Sequence, residues 1–129
     1  MPHLTARADS TVSGGVPTHW VAYFDRDSLR FIEEIIEQPL YGPRTNEYAF
    51  EGGRLRAFAS SGQLSLTGPG SERGPYRLRI AFGPDGEVTA TEKIVSGARV
   101  SIEEFEPPAA LGRAAWLRAQ IGARAPAGH

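Results

Sequence analysis

Short runs of alternating apolar and polar residues, separated by turns that contain glycine, fill the sequence from residue 46 to residue 102. Alternation with a period of two places successive side chains on opposite faces of a β-strand. Because the turns between the runs are short, neighbouring strands must run antiparallel. The segment therefore predicts a meander of six strands, which restricts the chain to folds that contain one antiparallel sheet.

Four turns predict the register of this meander. Gly52-Gly53 pairs Phe50 with Leu55 and Tyr48 with Ala57, so that apolar residues meet across the hairpin. The other three predicted turns are Ser61-Gly62, a three-residue loop from Pro84 to Gly86 that pairs Phe82 with Val88, and a three-residue loop from Ser96 to Ala98 that pairs Ile94 with Val100.

Two stretches outside the meander have helical spacing. Leu29, Ile32, Ile35 and Ile36 recur as one face of a helix that begins after Asp25 or Asp27 and ends at Pro39. A second helix is predicted from about residue 109 to residue 121, with a buried stripe at Leu111, Ala114, Leu117 and Ile121.

These elements predict an α+β fold with a curved antiparallel meander of six to seven strands and both helices packed on one face. Residues 1–17 are interpreted as a flexible arm or an edge strand, residues 18–122 as a single domain, and residues 123–129 as a disordered tail. The predicted apolar face leaves Phe58 as an exposed aromatic side chain on the opposite face.

Arginine is unusually frequent: 13 of the 14 basic residues are arginine, and Lys93 is the only lysine. Two similar runs, Arg54-Leu-Arg56 and Arg77-Leu-Arg79, raise the question of an anion-binding surface. Alternation places both leucines in the core and the four arginines on the outer face. Because the net charge is −1, the whole chain exerts no attraction for nucleic acid, and nucleic-acid binding is disfavoured.

Several classes of function lack their sequence signatures. The chain has no cysteine, and its three histidines are scattered, so we expect neither a metal site nor a cofactor. No apolar stretch reaches the length that spans a membrane. We therefore expect a soluble, cytoplasmic bacterial protein. The glycine-rich loop at 68–75 lacks the lysine of a phosphate-binding loop and is interpreted as a hairpin loop.

The candidates for catalysis are His19 and Tyr23, which are two residues apart and share one face of a predicted strand. If that face lines a cavity, His19 is the candidate general base and Tyr23 the candidate proton donor. Simple hydrogen bonding of a strand histidine is the alternative. Asp25 and Asp27 are interpreted as helix caps, with acid–base or metal chemistry as the alternative.

The candidates for binding lie in loops. Tyr41 and Arg44 belong to a loop rich in glycine and proline, and this pair suits a protein contact or a ligand clamp. The predicted turns also place Arg54, Arg73 and Arg99 around one rim of the sheet.

The sequence thus favours a non-catalytic binding or accessory module that contacts a protein partner or a second copy of itself. The alternative is a small-ligand-binding domain or cofactor-free enzyme with a pocket between the curved sheet and the helices. In that alternative, His19, Tyr23, Tyr48 and Tyr76 supply the polar lining.

Overall fold

The computed structural model describes residues 4–38, 42–65 and 73–123. These residues form eight strands and one helix. Their bounds are β1 Thr5–Ser13, β2 Val16–Asp25, β3 Ser28–Gln38, β4 Gly42–Glu51, β5 Arg54–Ser65, β6 Arg73–Phe82, β7 Val88–Val95, β8 Ala98–Val100 and α1 Glu106–Ala123.

The eight strands form one antiparallel sheet in which each strand lies beside the next along the chain, from β1 at one edge to β8 at the other. The segment from residue 5 to residue 13, predicted as an arm or an edge strand, is the edge strand β1. One face of the sheet packs against α1 and carries the core, and we call it the helix face. The opposite face is the outer face.

The first predicted helix is wrong, because residues 28–38 form strand β3 between β2 and β4. Asp25 and Asp27 flank Arg26, which adopts a left-handed backbone (φ 58°) in the β2–β3 turn, so neither aspartate caps a helix. Ile32 and Ile36 are buried on the helix face, and Ile35 is half-buried on the outer face. Apolar residues on both faces of one strand imitate helical spacing, while β-branched isoleucine favours a strand.

The predicted register is partly confirmed. Phe50 pairs with Leu55, and Phe82 pairs with Val88 beside Gly86, whose φ of 85° is left-handed. A bulge at Arg56, however, pairs Tyr48 with Phe58 rather than with Ala57. Phe58 is consequently buried on the helix face, so its predicted exposure is wrong.

Two other predicted turns are wrong. Strand β5 continues through Ser61-Gly62 as far as Ser65, so there is no hairpin at that point. The β7–β8 turn contains two residues, Ser96-Gly97, and it pairs Ile94 with Arg99 rather than with Val100.

Helix α1 begins at Glu106 and includes the predicted segment 109–121. Pro107 and Pro108 occupy its first turn, where a missing N–H removes no hydrogen bond. The helix buries four residues against the sheet: Ala110, Ala114, Leu117 and Ile121. Leu111, predicted in this stripe, is exposed.

The helix face has two chemically different ends. We call the end near the Arg26-Asp27 and Gly52-Gly53 turns the apolar end, since its buried residues are Ala22, Ile32, Phe50, Leu55, Ile80 and Phe82. The other end, near the Gly14-Gly15 and Ser96-Gly97 turns, is the polar end. Its helix-face residues include Thr18, Trp20, Glu34, Arg44, Asn46, Ser60 and Tyr76.

Candidate functional site

Strand register alone brings the polar side chains of the helix face together. Trp20 pairs with Glu34, Glu34 with Asn46, and Asn46 with Ser60, so these four residues form one row across β2, β3, β4 and β5. Directly paired residues of antiparallel strands point to the same face. The row therefore presents a carboxylate, an amide, a hydroxyl and an indole to one side of the sheet.

Glu34 is at the centre of this row and is completely buried. Its Oε1 accepts hydrogen bonds from the Tyr48 hydroxyl at 2.8 Å and from Asn46 Nδ2 at 3.2 Å. Its Oε2 accepts one from Thr18 Oγ1 at 3.1 Å, and two from Arg113, whose Nε lies at 3.0 Å and Nη2 at 2.6 Å. Five donors saturate a carboxylate, which has about four lone-pair positions. Glu34 consequently has no free lone pair with which to accept a substrate proton.

Arg113 is the link between this cluster and the helix. Both of its hydrogen bonds to Glu34 come from the in-plane Nε–Nη2 edge of the guanidinium and meet at Oε2, and its Cζ lies 4.2 Å from the centre of the Trp116 ring. Because a buried carboxylate without a counter-charge is very unfavourable, the ion pair fixes how α1 lies on the sheet.

Tyr48, like Arg113, donates a hydrogen bond to Glu34. Burial, followed by the nearby negative charge of Glu34 and the hydrogen bond to it, raises the pKa of the Tyr48 hydroxyl far above its ordinary value. The phenol therefore stays protonated and acts as a hydrogen-bond donor, not as a base.

Three buried polar atoms at the polar end have no hydrogen-bond partner among the described residues. They are the donors Trp20 Nε1 and Arg44 Nε and the acceptor Asn46 Oδ1. Trp20 and Asn46 are each 3% exposed. More than nine in ten buried polar groups in folded proteins are satisfied, so three unpaired atoms on β2 and β4 require an explanation.

Arg44 is the charged member of these three. It is half-buried on β4, two residues before Asn46, and its guanidinium makes no hydrogen bond or ion pair within the described part of the chain. Gly62 and Tyr76 lie beside it: a Cβ on Gly62 would be 3.4 Å from Arg44 Cγ and 3.3 Å from the Tyr76 ring. The Tyr76 hydroxyl is hydrogen-bonded to Ser60 Oγ at 2.9 Å.

His19 and Tyr23, the candidates for catalysis, share the outer face, away from this cluster. His19 Nε2 lies 4.0 Å from Glu37 Oε1, and the Tyr23 ring packs against Phe31 with 5.9 Å between centroids. His19 lines a cleft of about 330 Å³ on the outer face together with Ala8, Ser10, Val21, Glu33 and Ile35. Of the four tyrosine and histidine residues predicted to line a pocket, only Tyr48 and Tyr76 lie on the helix face.

The structure does not bring the three rim arginines together. Arg54 lies at the β4–β5 turn and donates to the carbonyl oxygen of Pro84 at 3.0 Å, at the apolar end. Arg73 begins β6 at the opposite end, and Arg99 lies in β8, where it contacts Glu92 at 3.2 Å. The predicted rim depended on the absent turn at Ser61-Gly62. Tyr41 and most of the 68–75 loop lie outside the described residues.

Sequence reasoning missed the centre of the cluster: Thr18, Glu34, Asn46 and Arg113. A helix over residues 29–38 places Glu34 on the side opposite the isoleucines, so the wrong helix concealed its burial, and Arg113 is 79 residues away in the sequence. One signal was present, because Thr18 and Asn46 each stand two residues before an aromatic residue, Trp20 or Tyr48, and alternation places such pairs on the same face.

Comparison of the chain with protein-family models, curated proteins and solved structures found no match. Within the described residues, there is no group of three or more histidine, cysteine, aspartate or glutamate side chains arranged to hold a metal ion. No helix in the same ranges is both long enough and apolar enough to cross a membrane.

Proposed function

We propose that the protein is a non-catalytic module that binds a small molecule on the helix face, at the polar end. The observation that carries this proposal is the pair of unpartnered buried atoms, Trp20 Nε1 and Asn46 Oδ1, on either side of the saturated Glu34. A ligand that hydrogen-bonds to both atoms removes a cost of about 1–3 kcal/mol for each of them.

The contacts of Glu34 support a positioning role. Asn46 Nδ2 donates to Glu34 Oε1 and is also 3.3 Å from the Tyr48 hydroxyl, so the amide group is fixed with its oxygen directed away from the carboxylate. A polar group held by a saturated network is preorganised and loses little entropy when a ligand binds. The cluster is therefore suited to presenting Asn46 Oδ1 as an acceptor.

The same contacts argue against acid–base catalysis by these residues. Glu34 uses its lone pairs within the protein, and the raised pKa of Tyr48 keeps its proton on the oxygen. A general base needs a free lone pair within reach of the substrate proton. Binding without reaction is the function that this chemistry supports best.

The proposal is tested by nuclear magnetic resonance with a library of small polar fragments. Asn46 is the only asparagine, and the two indole signals are assigned with a Trp116→Phe variant. Fragments that bind should shift the signals of the Trp20 indole and the Asn46 amide while leaving the exposed Gln63 amide unchanged. A library that moves neither signal would contradict the proposal.

Contact with a second copy of the chain is a second candidate function, and it corresponds to the binding module favoured by the sequence. The supporting observation is a set of exposed apolar side chains, Val100, Phe105 and Leu111, beside the short edge strand β8. Sedimentation velocity should show a dimer that Phe105→Ser dissociates and that Val12→Ser, at the other edge, does not. A monomeric unmodified protein would contradict this candidate.

A further inference from the structure

The charged side chains on the helix face at the polar end include Asp9, which pairs with Trp20 across β1 and β2, together with Glu34, Arg113, Lys93, Glu106 and Arg44. Glu34 and Arg113 neutralise each other at 2.6 Å, and Lys93 and Glu106 form a second, mostly buried pair at 2.9 Å. Arg44 remains, with a buried Nε and no partner among the described residues. A partly buried cation without a direct partner is unfavourable, and an anion in contact with Arg44 removes that cost.

We infer that the ligand is a small carboxylate that carries its own hydrogen-bond donor, with the carboxylate on Arg44 and the donor on Asn46 Oδ1. This inference rests on the proposed ligand-binding function. A guanidinium is a planar fork of donors that matches the two oxygens of a carboxylate. A single carboxylate also supplies the single negative charge that Arg44 lacks, whereas a phosphate dianion exceeds it.

The three unpaired atoms specify complementary groups on the ligand. Arg44 Nε and Trp20 Nε1 are donors and require acceptors, while Asn46 Oδ1 is an acceptor and requires an N–H or an O–H. A carboxylate alone satisfies the two donors but repels the amide oxygen. A hydroxyl or amide N–H next to the carboxylate meets the remaining requirement.

The spacing of the three residues fits one small molecule. Arg44 and Asn46 are two residues apart on the same face of β4, which separates their Cα atoms by about 7 Å. Trp20 and Asn46 lie in one row with β3 between their strands, so their Cα atoms are about 10 Å apart. These backbone separations are within the reach of the three side chains and one molecule the size of a hydroxy acid.

Gly62 supports the assignment because its backbone does not require glycine. Its φ is outside the left-handed region, unlike that of Gly52 or Gly53. Glycine is favoured here by the limited space, because a Cβ would lie 3.4 Å from Arg44 Cγ and 3.3 Å from the Tyr76 ring. Because Gly62 has no side chain, the aliphatic part of the Arg44 side chain has room beside β5.

The test uses three related probes: mandelate, which has a carboxylate and a hydroxyl; phenylacetate, which lacks the hydroxyl; and mandelamide, which is neutral. Binding is followed by the shifts of the Trp20 indole and the Asn46 amide. Mandelate should bind most tightly, and Arg44→Gln should weaken it about tenfold or more, because it removes a charged hydrogen-bond partner. Arg77→Gln, which makes the same charge change on the outer face, should leave the affinity unchanged.

The outcomes separate this inference from the proposed function. If mandelamide binds as tightly as mandelate and Arg44→Gln has no effect, the inference of an anionic ligand is overturned while ligand binding at the polar end stands. If phenylacetate binds as tightly as mandelate, the inference that the ligand carries a hydrogen-bond donor is overturned. If none of the three probes shifts either signal, the carboxylate assignment fails, and the fragment library then decides on the proposed function alone.

Discussion

The two ends of the helix face bury different kinds of side chain. At the apolar end, Phe50, Leu55 and Phe82 pack with Leu117 and Ile121 of α1, and burial of apolar surface is the main interaction that holds the helix. At the polar end, the sheet buries a carboxylate, an amide and hydroxyls, each of which needs a specific partner. The apolar end therefore depends on non-directional burial, and the polar end depends on specific partners.

Within the polar end, a second contrast is more instructive. Glu34 has more hydrogen-bond donors than it needs. Arg44, two positions before Asn46 on β4, has no hydrogen-bond acceptor among the described residues. A region that served stability alone would pair its cation as completely as its anion. Saturation at one position beside missing bonds at another is typical of a preorganised site that a ligand completes.

The largest expected effect on stability comes from removing Arg113, the counter-charge of the saturated Glu34 carboxylate. Arg113→Met leaves the Glu34 carboxylate buried without its counter-charge, and it should lower the free energy of unfolding by about 3–5 kcal/mol. Urea denaturation measures the change. Arg118→Met is the control on the same helix, because exposed Arg118 has no carboxylate partner: it donates to the Gly53 carbonyl oxygen and lies 5.5 Å from the centre of the Phe50 ring. It should cost less than about 1 kcal/mol, and equal losses for the two variants would contradict the special role of Glu34.

The apolar end is tested by Leu117→Ala. Leu117 is completely buried against the sheet, so its truncation leaves a cavity and should cost about 3 kcal/mol. Leu111→Ala on the same helix is exposed and should cost less than about 1 kcal/mol. Ligand binding at the polar end should survive in any Leu117→Ala protein that remains folded, and its complete loss would show that the two ends are not separable.

Tyr48→Phe removes one donor to Glu34 while keeping the ring that packs on Phe58 at 5.2 Å between centroids. Because four other donor contacts to Glu34 remain, we expect a loss of about 1–2 kcal/mol at neutral pH. Equilibrium urea denaturation of the variant and the unmodified protein gives the difference, and an unchanged stability would show that this hydrogen bond contributes nothing.

The same variant gives a test with pH. The pKa of folded Tyr48 is raised above its ordinary value of 10.0, so above that pH the unfolded phenol loses its proton and the folded one does not. The stability that Tyr48 contributes is therefore complete below pH 10 and is lost as the pH rises further. The difference between the unmodified protein and Tyr48→Phe should shrink between pH 9 and about pH 11. A constant difference would contradict the buried position of the hydroxyl.

Two of the hairpins were predictable, because alternation and glycine turns are local signals. The pairs Phe50–Leu55 and Phe82–Val88 follow from them and are confirmed. The bulge at Arg56 was not predictable, since it depends on contacts that Arg56 makes with Glu51 and with the Phe82 carbonyl oxygen across the sheet.

The candidate site was less predictable for a physical reason. A glutamate in a stretch of isoleucines reads as solvent-facing unless its partners are known, and Arg113 is 79 residues away from Glu34 in the sequence. The missed burial of Glu34 and the wrong helix at residues 28–38 have the same cause, because a helix in this segment would place Glu34 in solvent. Arg44 was predicted as a binding residue from its loop, and its neighbours Trp20 and Asn46 emerged only from the strand register.

The smallest expected change in stability tests most directly the claim that Arg44 belongs to a site that a ligand completes. Arg44→Met keeps the length of the side chain and removes the unpaired charge, and the unfolding free energy of the purified protein should be unchanged within about 0.5 kcal/mol or higher. The measurement is equilibrium urea denaturation without added ligand, with Arg77→Met as the control. A loss of more than about 1 kcal/mol for Arg44→Met alone would show that Arg44 is structural and would contradict a site completed by a ligand.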